Sequence, residues 1–557
     1  MGRIIEIFCE NTSRKKKYEL GTCLFDVIKD QNIRLDYPII GAMVNNQLKE
    51  LSYEIFKPKT IRFFDISSPM GLKMYLRSLC FVLYKAVSDL YPDKRLLIEH
   101  SISGGLYCEV KGLNMESEND SCAVEKIRDR MKEIIDADYK IIRKEVLTSE
   151  AIEIFEKNNL REKANLLKAR GLLYTSVYHL DNMVDYFYGC LVPSTGYLKL
   201  FGLMKYLEGM LLITPAKSNP SRLNDVFLQT KLFEIFREHK EWVEILEIPD
   251  IASLNSVVKD GKISEFIKIA EALQEKKLAQ IADLIHQRRQ NVKIVLISGP
   301  SSSGKTTFAK RLQVQMRVLG HMPIQLSLDN YFIDRNKTPK DKNGQYDYEA
   351  FEAIDTDLFN HNLFDLLNGK AVQLPKFSFT DGTRYFNNSK LKLNDNNILI
   401  IEGIHALNPG LVKATDPQQS YKVYVSALTQ LGVDSHNRIP TTDNRLIRRI
   451  VRDHRFRGYS ALETLQRWES VRRGEDRNIF PYQEEADIMF NTALLFELGV
   501  LKRYADPLLS QVHEIYPEYY EARRLLKFLS YFLPIPEREI PPTSILREFF
   551  GGSSFGY

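Results

Sequence analysis

The run Val292-Lys293-Ile294-Val295-Leu296-Ile297 is followed, after one serine, by Gly299-Pro300-Ser301-Ser302-Ser303-Gly304-Lys305-Thr306-Thr307, and residues 308–319 then carry a helical pattern. Strand, glycine-bounded loop, helix is an order that few folds accommodate. The glycines let backbone N–H groups converge, and the helix N-terminus adds a partial positive charge, so the loop is built to hold phosphate. The pattern G-x-x-x-x-G-K-[ST] in this context reads as a P-loop. Lys305 is placed to reach the β- and γ-phosphates of ATP, and the Thr306 hydroxyl to bind Mg²⁺. The competing reading, an ordinary Gly/Ser turn, is disfavoured by the flanking strand and helix.

A P-loop strand belongs to a parallel sheet. Apolar runs at 324–328, 398–401, 421–425 and 488–490 alternate with helical stretches, which predicts an α/β domain over 292–500, its sheet covered by helices on both faces. Ligands gather at the carboxyl ends of such strands. Glu402 follows one run and Asp329 another. Glu402 is expected at the metal with Thr306, the alternative being a strand end that faces solvent. A hydroxyl acceptor is a weak nucleophile, so Asp329 is the candidate general base; metal binding and a structural cap are its alternatives. Lys305, Asp329 and Glu402 make up the expected catalytic set.

Arg445, Arg448, Arg449 and Arg452 recur at i, i+3, i+4 and i+7, within one helical arc of about 100°. Leu446, Ile447, Ile450 and Val451 fall opposite, while Arg455 and Arg457 continue the charge toward Gly458. Transfer to an acceptor rather than to water requires closure and positive charge, so this stripe is expected to be a lid. Arg448, Arg449 and Arg452 are assigned to the nucleotide, and Arg455 and Arg457 to the acceptor. RNA binding by the same stripe is the competing use.

Residues 1–66 predict a small α+β unit: a strand at 4–9, a solvated turn at 14–17, a helix at 24–29, a hairpin about Asn45-Asn46 and a strand at 61–66. Residues 70–215 predict a second mixed α+β block, 216–291 a helical connector, and 501–557 a helical tail. With 77 basic and 72 acidic residues the net charge is only +5, so global charge argues for neither nucleic acid nor membrane. Six scattered cysteines without a C-x-x-C pair suit a reducing compartment. The opening residues Met1-Gly2-Arg3 begin no signal-peptide layout, and no run is long enough to span a membrane. A cytoplasmic protein is expected.

Residues 292–500 resemble the uridine kinase/phosphoribulokinase family of P-loop kinases. The resemblance rests on 299–307, Ser327-Leu328-Asp329-Asn330-Tyr331-Phe332, Tyr346-Asp347, Val372-Gln373-Leu374-Pro375 through Arg384, Ile401-Glu402-Gly403-Ile404 and 445–453. It implies that Asp329 is the family's catalytic acid, Asp347 an acid near the nucleoside sugar, and Arg384 a substrate-loop arginine. Tyr331 falls among the implied substrate contacts. In uridine kinases a Tyr and a His hold the pyrimidine; those positions fall on Phe377 and Gly382. Phe377 keeps a stacking surface, but the His hydrogen bond is lost, which leaves the acceptor open.

Residues 1–66 resemble the TGS domain, and 70–215 the editing domain, of threonyl-tRNA synthetases. Leu90-Tyr91-Pro92-Asp93, Gly105-Leu106-Tyr107 and the segment from Asp185 to Gly196 carry this likeness. The family's H-x-x-x-H and C-x-x-x-H positions fall on Arg77, Phe81, Phe187 and Leu191, so neither zinc nor editing is expected. His100 and His179 match none of those positions and are read as structural. Contact with tRNA-like RNA, a small ligand, or service as an interaction or dimerisation module remain the readings of this half. The expected activity is ATP·Mg²⁺-dependent phosphorylation of a small hydroxyl compound, foremost a nucleoside 5′-hydroxyl. A phosphoribulokinase-type sugar-phosphate kinase and an RNA-binding regulatory ATPase are the alternatives.

Overall fold

The computed structural model describes residues 4–113, 122–341, 344, 346–378, 380–394, 396–413, 416–429 and 431–556. Met1, Gly2 and Arg3, on which the leader reading drew, lie outside them, as does Phe379 of the substrate-loop segment.

The P-loop strand Ile294–Ser298 sits in the middle of a five-stranded sheet. The order is Met322–Ser327, Asn397–Glu402, Ile294–Ser298, Ser420–Ser426, Ile488–Asn491, and every neighbouring pair is parallel. Side chains alternate between two cores. Val295, Ile297, Ile400, Val423 and Val425 face one, and Ile294, Leu296, Leu399, Ile401 and Tyr424 the other. A sheet covered on both faces needs apolar residues at consecutive positions, which is why these strands read as unbroken runs. The stretch 372–384 forms most of an antiparallel arm, Val372–Ser378 against Thr383–Leu391, an element the sequence reading had not resolved.

The tail is part of the kinase core. Helix Glu497–Ser510 straddles its expected start, and Leu525, Phe528, Ile535, Ile545 and Phe549 share one core with Val295 and Phe308. Helix Ile263–Gln287 of the connector joins the same core, while Leu232, Phe233 and Phe236 of helix Thr230–Leu246 pack into the opposite one.

In the first unit the strands run in the order Arg14–Glu19, Ile4–Cys9, Lys59–Phe64, Gly41–Val44, Gln47–Lys49. Residues 14–17, expected as a turn, instead belong to an edge strand antiparallel to Ile4–Cys9. Edge pairing uses backbone groups, so the lysines extend into solvent without a buried face. Asn45 and Asn46 have φ of 46° and 56°, the left-handed pair that a tight hairpin turn requires. The second block packs helices Pro69–Leu90 and Ala123–Asp136 on a sheet in the order Gly202–Tyr206, Gly209–Ile213, Gly105–Lys111, Arg95–Ile102. The two halves of the chain are joined by a buried cluster. Lys163 Nζ lies 2.6 Å from Asp185 and 2.9 Å from Asp434, and His436 Nδ1 lies 2.7 Å from Asp185. Among the described residues no helix is long and apolar enough to cross a membrane.

Candidate active site

Both P-loop glycines are sterically required. A Cβ on Gly299 would lie 1.9 Å from the Val425 carbonyl oxygen, and Gly304 has φ +84°. Helix Lys305–Val318 begins at once, so its first N–H groups point into the loop. The Ser301 N–H donates to Glu475 at 3.0 Å. The N–H and hydroxyl of Thr307 donate to Glu548 at 3.1 and 2.6 Å. These carboxylate oxygens sit on loop donors of the kind that hold phosphate. The buried hydroxyls of Ser302 and Ser303 have no hydrogen-bond partner among the described residues. Lys305 Nζ folds back onto the carbonyls of Gly299 and Pro300 at 2.9 and 3.0 Å, poised over the loop. Burial holds its pKa below the usual lysine value, while Glu402 and Asp329 work in the opposite sense.

Glu402 ends its strand level with Ser327 on one side and Ile297 on the other. Asp329 follows two residues after Ser327 in a short 3-10 turn, Leu328–Tyr331. Parallel pairing thus delivers both carboxyl groups to the end of the sheet where the P-loop opens. Burial, then the charge of Asp329, pushes Glu402 up to about 7. Asp329 is also raised by burial, against the pull of Lys305, Arg457 and Arg452. Burial raises both carboxyl groups, and the charge of Asp329 adds to the rise at Glu402; with the hydroxyl of Thr306 in the first turn of the P-loop helix, these are hard oxygen donors of the kind that suit Mg²⁺.

Beside Asp329 opens a cavity of about 450 Å³. Of the residues expected at the acceptor, Asp329, Phe377 and Arg457 line it, together with Arg449 of the lid. Phe332, Tyr348 and Tyr459 add aromatic walls, and Arg335, Arg467 and Glu349 add charge; of these only Phe332 falls in a segment that carries the family resemblance. Tyr348 and Glu349 do sit directly after the Tyr346-Asp347 pair that drew notice. Gly382, where a His was expected in the family, has φ +70°, and a Cβ there would lie 2.7 Å from Arg335 Nε. The arginine thus fills that place.

Other assignments need correction. Tyr331 is 2% exposed, packs edge-on against Phe359 and bonds Asn362, so it belongs to the core rather than to a substrate surface. Arg448, assigned to the nucleotide, is 0% exposed and pairs with Glu497 at 2.5 Å and with Thr492. Arg445 is likewise buried against Glu475. The carboxylate partners of Arg445 and Arg448 lie on other helices, remote in sequence, so spacing along their own helix does not reveal them. Arg449 reaches the Ser301 hydroxyl at 2.7 Å, and Arg449, Arg452 and Arg457 surround Asp453. Arg455 packs against Gly551 of the tail. Arg384 pairs with Asp355 at 2.7 Å, and Asp347 caps the Glu349 N–H, so neither lines the cavity.

A model of the phosphoribulokinase/uridine kinase family matches residues 294–494. Uridine kinase of Staphylococcus haemolyticus is 30% identical over 200 residues, which is 36% of this chain and 87% of that protein. The chain belongs to the phosphoribulokinase/uridine kinase family. Uridine kinase of Staphylococcus aureus strain JH9 is also 30% identical, over 35% of this chain and 86% of that protein. A solved structure from Bacillus stearothermophilus described as a possible uridine kinase shares 18% identity, with a TM-score of 0.25, over 36% of this chain and 89% of its own. The chain is an ATP-dependent kinase with a hydroxyl acceptor.

Proposed function

We propose that this kinase phosphorylates the 5′-hydroxyl of a nucleoside-like acceptor. The observation that carries the reading is the cavity itself: Phe332, Tyr348 and Phe377 offer flat apolar walls to a base, and Asp329 stands where the sugar hydroxyl would be presented. The P-loop and Lys305 hold the triphosphate, while Thr306 and Glu402 would hold Mg²⁺, which would supply charge neutralisation at the phosphates. Asp329 accepts the hydroxyl proton as the oxygen bonds to the γ-phosphorus. The bond from γ-phosphorus to the β,γ-bridging oxygen breaks, and ADP leaves with that electron pair. Arg449 and Arg457, at the cavity wall, neutralise the equatorial oxygens.

A second reading has its own support. Arg335, Arg449, Arg457 and Arg467 all line the cavity, and so many guanidinium groups favour an acceptor that already bears phosphate, as in phosphoribulokinases. Incubation with Mg²⁺–ATP and a panel of nucleosides and sugar phosphates separates the two. ADP release that needs a nucleoside and vanishes in Asp329→Asn supports the first; dependence on a sugar phosphate selects the second. ATP turnover stimulated by RNA alone sinks both. For residues 1–215 our reading remains a TGS-like unit and an editing-like domain without its chemistry. The rings of Phe81 and Phe187 pack at a tilt, centroids 5.3 Å apart, where metal ligands would stand, and Arg77 donates to the Cys190 carbonyl. His100 stacks on Phe236 with ring centroids 3.5 Å apart, as a core aromatic would. Six free cysteines support a cytoplasmic setting.

A further inference from the structure

A second cavity, of about 270 Å³, lies between the N-terminal half and helix Tyr519–Leu529, far along the chain from the P-loop. Its wall carries Lys49, Arg77, Arg143, Arg523, Arg524 and Lys527 and not one carboxylate. Of these six, only Arg524 is ion-paired among the described residues, with Asp443 and Glu521 at 2.6 Å each. Arg77 donates to the Cys190 carbonyl at 2.7 Å and Arg143 to the Ser176 hydroxyl at 2.8 Å. Arg523 lies over Tyr519, and Lys49 over Tyr53. These contacts orient the side chains without neutralising them. Glu50, the nearby acid of the first unit, accepts from the Tyr178 hydroxyl and the Leu191 N–H instead.

Like charges gathered this closely destabilise a fold unless something compensates them. The crowding registers at Lys527. Burial, reinforced by Arg170, Arg143 and Arg77, pulls its ammonium down to about 8. A single phosphate brings only about two negative charges, fewer than the five cations outside any ion pair, two of which, Lys49 and Arg143, feel Glu50 at longer range. The volume is close to the lower end of the roughly 300–1,000 Å³ that holds small ligands. Tyr178, Tyr188, Tyr519 and Tyr520 add ring faces to the wall.

We propose that this cavity is a second anion site, separate from the nucleotide site, for a compact ligand bearing two or more phosphoryl groups. Guanidinium forks from the N-terminal half and cations from the C-terminal helix close on it from opposite sides, so the ligand bridges the two halves of the chain. The same chemistry is available from a free diphosphate compound or from the phosphates of a single-stranded RNA end.

The test uses the full chain carrying Lys305→Ala, which weakens phosphate binding at the P-loop, titrated calorimetrically with inorganic pyrophosphate. One-to-one binding is expected, weakened at least tenfold by Lys527→Gln and by Arg143→Gln. Competition by a short single-stranded oligoribonucleotide, sensitive to the same variants, assigns the source to RNA. Pyrophosphate binding that the oligonucleotide leaves unchanged assigns it to a free compound. No binding at millimolar pyrophosphate, or equal affinity in the parent and both variants, overturns the site. Folding is followed by melting temperature. Without anion, Lys527→Gln should melt no lower than its parent because repulsion is relieved, and pyrophosphate should raise the parent's melting temperature and leave the variant's unmoved.

Discussion

Asp329 and Glu349 face the same cavity, and burial acts on both, with different consequences. Asp329 is the group whose loss removes proton transfer. Asp329→Asn is expected to lower kcat by about 10²–10⁴ with a much smaller change in ATP affinity, read by steady-state kinetics beside nucleotide titration. Equal losses in both would show that it holds nucleotide instead. Glu349 is pushed up from 4.5 to about 7, chiefly by burial. Its folded pKa is the higher one, so the folded chain keeps a proton that the unfolded chain releases. Stability therefore falls as pH rises from about 4.5 to 7 and levels off above. The whole effect is on the order of 3 kcal/mol. Urea midpoints of Glu349→Gln and the parent, compared at pH 5 and pH 8, should diverge in favour of the variant at pH 8. Parallel pH profiles would refute the assignment. Asp329 was legible in the sequence because a strand end is a local feature; Glu349 was not, since nothing local tells a loop acid that it will be desolvated.

Among elements, the arginine helix Thr441–Arg457 and the short helix Arg547–Phe550 both reach the P-loop, through Arg449 on Ser301 and Glu548 on Thr307. Spacing alone predicts a helix through Arg445–Arg452, which the structure extends to Thr441 and Arg457. It does not say which arginines meet carboxylates on other helices. Arg448→Ala would strand Glu497 in the core, and a loss of about 3–5 kcal/mol is expected in denaturant unfolding. A change below 1 kcal/mol would return Arg448 to the nucleotide-binding role expected of it. Glu548 accepts from both donors of Thr307 on the P-loop helix, where an incoming triphosphate needs the same N–H. Glu548→Ala is expected to tighten ATP binding by up to about tenfold, the scale of one charge-assisted hydrogen bond. Titration with a fluorescent ATP analogue measures it, and weaker binding in the variant would make Glu548 a support of the site instead of a competitor.

Across the whole molecule, the N-terminal half is fastened to the kinase by Lys163, which is 0% exposed between Asp185 and Asp434. Ion pairing holds Asp185 down to about 2 despite its burial. Lys163→Met leaves two buried carboxylates facing each other and should cost about 3–5 kcal/mol, detected as separate unfolding of the two halves by calorimetry. A single unshifted transition would mean that the joint rests on apolar packing alone.

The sequence by itself determined the P-loop, the five-stranded parallel sheet and the carboxylates at the carboxyl ends of its strands. Each of these follows from contiguous residues: a steric need for glycine, an apolar run covered on both faces, an acid at a strand's end. Tertiary structure alone decided that Tyr331, Arg445 and Arg448 turn inward, and that Arg335 stands at Gly382. It also decided that Glu548 reaches the loop from the tail, and that six cations from both ends of the chain meet in one cavity. Burial and pairing of charge depend on partners tens to hundreds of residues away, and local spacing carries no record of them.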